Sequence, residues 1–150
     1  QGTKLEILAD GHQWTEGPVW VPALQSILYS DIPNNAIYRW SENAGPSLWL
    51  KPAGYTGGAM RGGESGSNGL LLNGEGHLLL AQHGDRRIAR LISPLNAPKA
   101  EFETLAGQLD GKRFNSPNDL AMRANGDIYF TDPPYGLEHG VDDLAKELAV

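Results

Sequence analysis

The sequence contains an internal repeat of about 50 residues, and this repeat limits the possible folds more than any other feature. Three segments align: Glu16 to Asp31, Asn68 to His83, and Asn118 to Asp132. Their first residues are 52 and 50 positions apart, and each segment has a polar residue, an apolar stretch, a turn and a second apolar stretch. Repeats of this length are typical of architectures in which each unit packs on the next.

Each unit is predicted to contain short antiparallel strands. Asn-Gly pairs at Asn73 and Asn125 separate the first two strands of the second and third units, which is a strong hairpin signal. Further strands are expected in the first two units, at Ala36 to Trp40, Ser47 to Lys51, Arg87 to Ile92 and Ala100 to Leu105. Four antiparallel strands in such a unit match a propeller blade. The alternative is a β-sandwich, which also has short, evenly spaced strands.

Residues 1–150 are therefore interpreted as part of one all-β propeller domain. Residues 16–52 form a first blade, residues 68–106 a second, and residues 118–150 the start of a third, with a short helix expected over Asp142 to Leu148. Residues 4–9 resemble a fourth strand that has no blade of its own, as a ring-closing strand would. Propellers need roughly 4–8 blades, so we expect the chain to be a fragment or to pair with a missing C-terminal half, from the same gene product or a second chain.

Composition excludes several classes of protein. The net charge of −6, without any cluster of Lys or Arg, disfavours nucleic acids and anionic membranes as partners. No apolar run approaches the roughly 18 residues of a membrane span. There are no cysteines, which excludes disulfides, thiolate metal sites and cysteine nucleophiles. The compartment, cytoplasm or periplasm, stays open.

The first residue of each repeat is an oxygen donor: Glu16, Asn68 and Asn118. In a propeller the innermost strands line a central channel, so equivalent positions on successive blades face one another. One carboxylate and two amide carbonyls would suit a hard cation, above all Ca²⁺, and the ligand types argue against a zinc-type site. Taken singly, however, Glu and Asn beside Gly or Pro are ordinary turn residues.

By the same alignment, Asp31, His83 and Asp132 end the second strand of each unit. His83 is a candidate catalytic proton shuttle or a group that hydrogen-bonds substrate, because a histidine pKa of about 6.5 suits such roles. For the two aspartates the favoured interpretation is structural: they cap the strand and bond backbone amides in the turn that follows it. Trp14, two residues before Glu16, is a candidate wall of a substrate pocket.

Three blocks of sequence carry a resemblance to a known family. They are Trp14 to Trp20; Ser67 to Gly69 with Gln82 to Arg87; and Ser116 to Leu120 with Tyr129 to Gly136. Over nearly its whole length the chain resembles the bacterial gluconolactonase branch of the gluconolactonase/regucalcin (SMP-30) family of metal-dependent lactonases. The resemblance implies a six-bladed β-propeller, of which this chain would cover about half, with a divalent cation on its axis.

The resemblance also implies a set of ligands. Glu16 matches the family's first-blade Glu, Asn118 matches the Asn of a Pro-Asn-Asp/Gly motif, and Asn68 matches an Asn that contacts the metal, its water or the substrate. An Asp that acts as a further ligand and as the general base is expected beyond Val150. Calcium is the expected metal, with Zn²⁺, Mg²⁺ and Mn²⁺ as other divalent candidates.

The implied reaction is hydrolysis of a sugar lactone such as glucono-1,5-lactone. Two alternatives remain open. One is hydrolysis of organophosphates or other phosphotriesters on the same propeller, and the other is a non-catalytic calcium-binding or protein-binding scaffold.

Overall fold

The computed structural model describes residues 2, 4–59 and 61–149, and the fold is all-β. Its strands form antiparallel sheets. In the described residues, helical structure is limited to the 3-10 turns Pro22–Leu24, Pro134–Gly136 and Gly140–Asp142. None of these turns, and no other helix of the described part, is long and apolar enough to cross a membrane.

Two four-stranded sheets follow the chain in strict order. The first contains β1 (Thr15–Val21), β2 (Ser26–Asp31), β3 (Ala36–Ser41) and β4 (Gly45–Leu50), and the second contains β5 (Ser67–Leu72), β6 (Leu78–Gln82), β7 (Arg87–Leu91) and β8 (Phe102–Ala106). In both sheets every strand pairs with the next one along the chain. The strands predicted for the first two units are thus confirmed, with small differences at their ends.

Two further hairpins follow. The first, β9 (Gln108–Leu109) with β10 (Lys112–Arg113), was not predicted, although its turn residues Asp110 and Gly111 form an Asp-Gly pair with φ of 50° and 80°. A two-residue hairpin turn of type I′ requires positive φ at both of its central residues. The second, β11 (Leu120–Met122) with β12 (Ile128–Phe130), is the hairpin predicted for the third unit.

The helix expected over Asp142 to Leu148 is wrong. Beyond the short turn that ends at Asp142, this stretch forms turns and irregular chain. The Asp143 carboxylate accepts the backbone N–H of His139 at 3.0 Å and that of Ala145 at 2.8 Å. Such local bonds from an aspartate compete with helix formation.

The Asn-Gly hairpins are present, but their turns differ from the predicted type. In the second unit Gly76 N–H donates to Asn73 O at 3.0 Å, and it is Gly76 that has positive φ, at 83°. In the third unit Gly126 N–H donates to Arg123 O at 2.9 Å, and Gly126 has a φ of 93°. The two glycines are therefore equivalent, so that Asn73 corresponds to Arg123 and not to Asn125.

Replacing Gly76 by alanine is expected to lower the free energy of unfolding by about 1–2 kcal/mol, the cost of left-handed backbone for a residue with a Cβ. A Cβ at Gly76 would meet no atom within 4 Å, so the cost is conformational. Gly74→Ala is the control, because Gly74 has equal space without the left-handed φ. Urea unfolding of the full polypeptide that carries this sequence gives both values. Equal costs for the two variants would contradict the turn described here.

Two apolar layers join the units in sequence order. The layer between the four-stranded sheets contains Val21, Leu28, Ile37, Leu50, Leu70, Leu78, Leu80 and Leu91. The layer between the second sheet and the β11–β12 hairpin contains Leu79, Ala81, Ile88 and Leu120. Strand β6 contributes to both layers because alternate side chains of a strand point to opposite faces. Each unit thus packs on its neighbours in the chain.

The strand predicted over residues 4–9 is not formed. This segment has no strand pairing, and the side chains of Leu5 and Ile7 are 103% and 84% exposed. A strand requires a neighbour that satisfies its N–H and C=O groups. Within the described residues no sheet supplies that neighbour, so the ring-closing role of residues 4–9 stays a prediction.

Candidate functional site

The three candidate ligands occupy equivalent points of the three units. Glu16 and Asn68 are each the second residue of the first strand of a sheet, β1 and β5, and each lies where the pairing of that strand becomes irregular. Asn118 precedes Leu120 by two positions, as Asn68 precedes Leu70. The register of the third hairpin, in which Leu120 pairs with Phe130, matches that of Leu70 with Leu80. The predicted repeat of these positions is therefore present in three dimensions.

Glycines allow the three points to approach one another. A Cβ on Gly17, which has a φ of 57°, would lie 2.3 Å from the backbone oxygen of Asn68. A Cβ on Gly69 would lie 2.9 Å from the backbone oxygen of Asn118, and Gly69 N–H donates to that oxygen at 2.7 Å. The backbone that follows each candidate ligand therefore touches the next candidate, from Glu16 to Asn68 and from Asn68 to Asn118.

The second set of equivalent positions needs a correction. Asp31 is the last paired residue of β2, opposite Ala36, and Gln82 is the last of β6, opposite Arg87. Gln82, and not His83, is thus the counterpart of Asp31. His83 corresponds to Ile32: the N–H of Ile32 donates to Trp14 O, and that of His83 donates to Gly66 O.

Asp31 and Asp132 have a structural role, as expected, but the backbone N–H groups that they accept precede the first strand of the unit and do not lie in the turn after the second. Asp31 is fully buried, and Oδ1 lies 3.3 Å from both the backbone N of Gln13 and that of Trp14. Asp132 Oδ2 accepts the backbone N–H of Asn115 at 2.7 Å. Both carboxylates hold the segment that precedes the first strand of a unit, β1 for Asp31 and β11 for Asp132, and so help to position that strand.

His83 is fully buried behind Asn68. Its Nε2 lies 3.3 Å from Asn68 Nδ2, and its Nδ1 lies 3.3 Å from Glu64 Oε2 without the alignment of a hydrogen bond. Burial, and secondarily the positive charge of Arg61, lowers the pKa of His83 to about 4, against an opposing contribution from the backbone of Glu64. The ring is therefore neutral at neutral pH, and its contact with Glu64 joins a carboxylate to an uncharged ring.

Glu64 is a site residue that sequence reasoning missed. Its side chain is 34% exposed, and burial followed by repulsion from Glu16 raises its pKa. It lies in the glycine-rich segment that connects β4 to β5. That segment is drawn inward because Gly66 N–H donates to Ile32 O at 2.8 Å, and a Cβ on Gly66 would lie 2.5 Å from that oxygen.

Trp14 stands at the outer side of the site. Its side chain is 59% exposed, and its Nε1 lies 3.4 Å from Glu16 Oε1. Glu16 is itself exposed, Asn118 is half-buried and Asn68 is 5% exposed. The donor set combines one accessible carboxylate with two amide side chains. Among the described residues, no three His, Asp or Glu side chains form a group that could hold a metal ion.

Sequence comparison relates this chain to lactone-hydrolysing proteins. Residues 14–148 match the family described as the SMP-30/Gluconolactonase/LRE-like region. The gluconolactonase of Zymomonas mobilis is 39% identical over an alignment of 150 positions, which covers 97% of this chain and 40% of that protein. The chain thus spans well under half the length of this curated relative.

Two solved structures give the same relation. The X-ray structure of a protein placed in a gluconolactonase family superimposes with a TM-score of 0.74 at 35% identity, over 95% of this chain and 44% of that one. XC5397 from Xanthomonas campestris, described as a gluconolactonase important in glucose secondary metabolic pathways, gives a TM-score of 0.71 at 32% identity, over 87% of this chain and 38% of that one.

Proposed function

Because the chain belongs to the SMP-30/gluconolactonase/LRE-like family, we propose that the protein carrying it is a divalent-metal-dependent lactonase that opens a sugar lactone. The observation that carries this proposal is the repetition of an oxygen-bearing side chain at equivalent points of successive units, where the backbone of Gly17, after Glu16, approaches Asn68 and that of Gly69, after Asn68, approaches Asn118.

The proposed architecture is a six-bladed propeller. Each four-stranded sheet is a local meander, as a blade is, whereas a Greek-key sandwich exchanges strands between sheets. Two sheets and a hairpin occupy 38–44% of the matched relatives, close to the share that two and a half blades of six would occupy. Residues 16–52, 68–106 and 118–150 are then two blades and the start of a third, and residues 4–9 complete the last blade.

An open groove supports a ring that continues past the first sheet. It has a volume of about 440 Å³ and lies between the N-terminal segment and the outer face of the first sheet, where it is lined by Ile7, Leu8, Glu16, Ile27, Tyr29 and Trp40 among others. Apolar surface of this kind favours a covering partner. We propose that the C-terminal half of the propeller covers it.

The donor set fits a hard divalent cation, with Ca²⁺ the first choice and Zn²⁺, Mg²⁺ or Mn²⁺ as alternatives. Glu16, Asn68 and Asn118 supply only oxygen, the ligand that Ca²⁺ and Mg²⁺ prefer. Burial first, and repulsion from Glu16 second, raise the pKa of Glu64, and a cation would relieve that repulsion. When bound, the cation would polarise the lactone carbonyl and stabilise its developing negative charge.

The chain's own residues would divide the remaining work. Glu16 provides the charged ligand, and Asn68 and Asn118 provide neutral oxygens. The indole of Trp14, which is exposed and lies beside Glu16, would cover one face of a bound sugar ring. We assign His83 no direct contact with substrate, because its ring is fully buried behind Asn68.

A substrate panel tests this proposal. The full polypeptide that carries this sequence is expected to release acid from glucono-1,5-lactone when Ca²⁺ is present, and to lose that activity reversibly in excess EDTA. Acid release followed in a pH-stat, against the spontaneous rate, measures it. A preference for phosphotriesters would favour the organophosphatase alternative, and tight metal binding without turnover of either substrate class would favour a scaffold.

A further inference from the structure

We propose that His83 is a positioning residue that orients the side-chain amide of Asn68 so that its oxygen faces the cation. This inference rests on the proposed function, because it concerns the same site. It assigns His83 a role different from the proton shuttle and substrate contact that its sequence position suggested.

The first step is the contact between the two side chains. Asn68 Nδ2 lies 3.3 Å from His83 Nε2, both residues being buried. An amide nitrogen carries hydrogens and no available lone pair, so Nε2 must be the acceptor. That assignment requires the ring to be neutral with its single hydrogen on Nδ1.

The second step is the opposite side of the ring. Nδ1 lies 3.3 Å from Glu64 Oε2. A carboxylate oxygen only accepts, so it favours the same tautomer, with the hydrogen on Nδ1. A small rotation of Glu64, which is 34% exposed and free to move, would align the bond. The two neighbours of the ring therefore select one protonation state between them.

The third step is the fixation of the ring. A Cβ on Gly136 would lie 2.5 Å from His83 Cβ and 2.7 Å from His83 Cγ, so the backbone there is pressed against the imidazole. The His83 N–H is held by Gly66 O at 3.1 Å. A ring confined in this way cannot turn to offer Asn68 a different atom.

The consequence falls on Asn68. With Nδ2 committed to His83, the amide oxygen lies on the other arm of the planar amide group, and no hydrogen bond from the described residues reaches it. The Ser30 hydroxyl donates to the backbone oxygen of Asn68 at 2.8 Å, which anchors the residue at its backbone as well. Asn68 would thus present oxygen, and not N–H, to the cation before the cation arrives.

Calcium affinity tests the inference. In the full polypeptide stripped of metal, His83→Leu is expected to weaken Ca²⁺ binding about 10- to 100-fold, the usual effect of losing a partner of a metal ligand. His83→Gln should recover most of that affinity, because its amide oxygen can reach the position of Nε2. Activity at saturating Ca²⁺ should fall much less than the affinity does. His77→Leu, at an exposed turn histidine, is the matched control.

A shuttle role gives the reverse pattern. Unchanged Ca²⁺ affinity in His83→Leu, with activity at saturating Ca²⁺ lost 100-fold or more, would overturn the positioning role. Failure of His83→Gln to restore affinity would do the same. If the wild-type protein binds no divalent cation, the proposed function itself falls and the inference falls with it. Cation binding that is indifferent to His83→Leu overturns the inference alone.

A second measurement does not depend on any variant folding. Long-range ¹H–¹⁵N spectra of metal-free protein labelled at histidine nitrogens distinguish the two neutral tautomers. The expected signature of His83 is a hydrogen on Nδ1 with Nε2 unprotonated. A hydrogen on Nε2, or a doubly protonated ring at neutral pH, would overturn the inference.

Discussion

Replacing Glu16 by glutamine is expected to weaken Ca²⁺ binding about 100- to 1,000-fold and to lower the rate of lactone opening at limiting Ca²⁺ by a similar factor. Glutamine keeps the length of the side chain and one carbonyl oxygen, so the change is confined to charge. Glu16 is the charged member of the proposed ligand set, and the number of charged ligands is what chiefly tunes calcium affinity. At partly exposed sites, one unit of charge a few ångströms from another is worth several kcal/mol at most.

The matched control for this variant is Glu42→Gln. Glu42 is exposed in the turn between β3 and β4, so the two variants remove the same charge from the protein. Titration calorimetry of metal-free protein with Ca²⁺, together with initial rates across Ca²⁺ concentrations, compares them. Calcium affinity within about twofold of wild type in Glu16→Gln would contradict the assignment of Glu16 as a ligand, on a scale where tenfold corresponds to 1.4 kcal/mol.

The strands and their order could be predicted from sequence because each unit carries its own local signals. Alternating apolar residues and turn formers define the hairpins, and the repeat shows which units are alike. The equivalence of Glu16, Asn68 and Asn118 could be predicted for the same reason, since each lies two or three residues before the regularly paired, apolar part of the first strand of its unit. Residues 4–9 form no strand here, because no partner strand for them is among the described residues, and their ring-closing role stays a prediction.

The assignment of His83 as the counterpart of Asp31 was wrong, because a difference of one residue in strand register decides which residues are equivalent. In the first unit Trp20 pairs with Ile27, and in the second the equivalent residue Leu72 pairs with Leu78, so the second unit's turn is one residue shorter. Sequence spacing alone therefore aligned His83 with Asp31, whereas strand pairing aligns Gln82 with it. A one-residue slip in register moves a side chain to the opposite face of a sheet. Here the slip decides whether His83, which contacts Asn68, is equivalent to Asp31 or follows the residue that is.

Glu64 could not be found from sequence for a different reason. Its position depends on long-range contacts that fold the glycine-rich connection against the first sheet. A Cβ on Gly54 would lie 1.9 Å from the carbonyl carbon of Gly66. The N–H of Gly66 in turn donates a hydrogen bond to Ile32 O. No local pattern encodes such a packing arrangement, although the density of glycines in that segment is the signal that the backbone there approaches other backbone closely.

Replacing Gly17 by alanine is expected to lower the free energy of unfolding by about 2–5 kcal/mol, combining the cost of a left-handed backbone with that of overpacking. Gly17 has a φ of 57°, and a Cβ there would lie 2.3 Å from Asn68 O, 2.8 Å from Leu70 N and 2.9 Å from Gly69 Cα. All three atoms belong to backbone, so no rotation of a side chain can make room. Strands β1 and β5 must therefore move apart, which also displaces Asn68 from Glu16.

Gly45→Ala separates the two contributions. Gly45 has a φ of 67°, but a Cβ there would meet nothing within 4 Å, so its cost should be only the conformational 1–2 kcal/mol or so. Urea unfolding of both variants in the full polypeptide gives the steric contribution at Gly17 as their difference. Gly17→Ala should in addition weaken Ca²⁺ binding, whereas Gly45→Ala should leave it unchanged. If the two variants lost equal stability and kept equal affinity, the close approach of β1 to β5 would not be what holds the candidate ligands together.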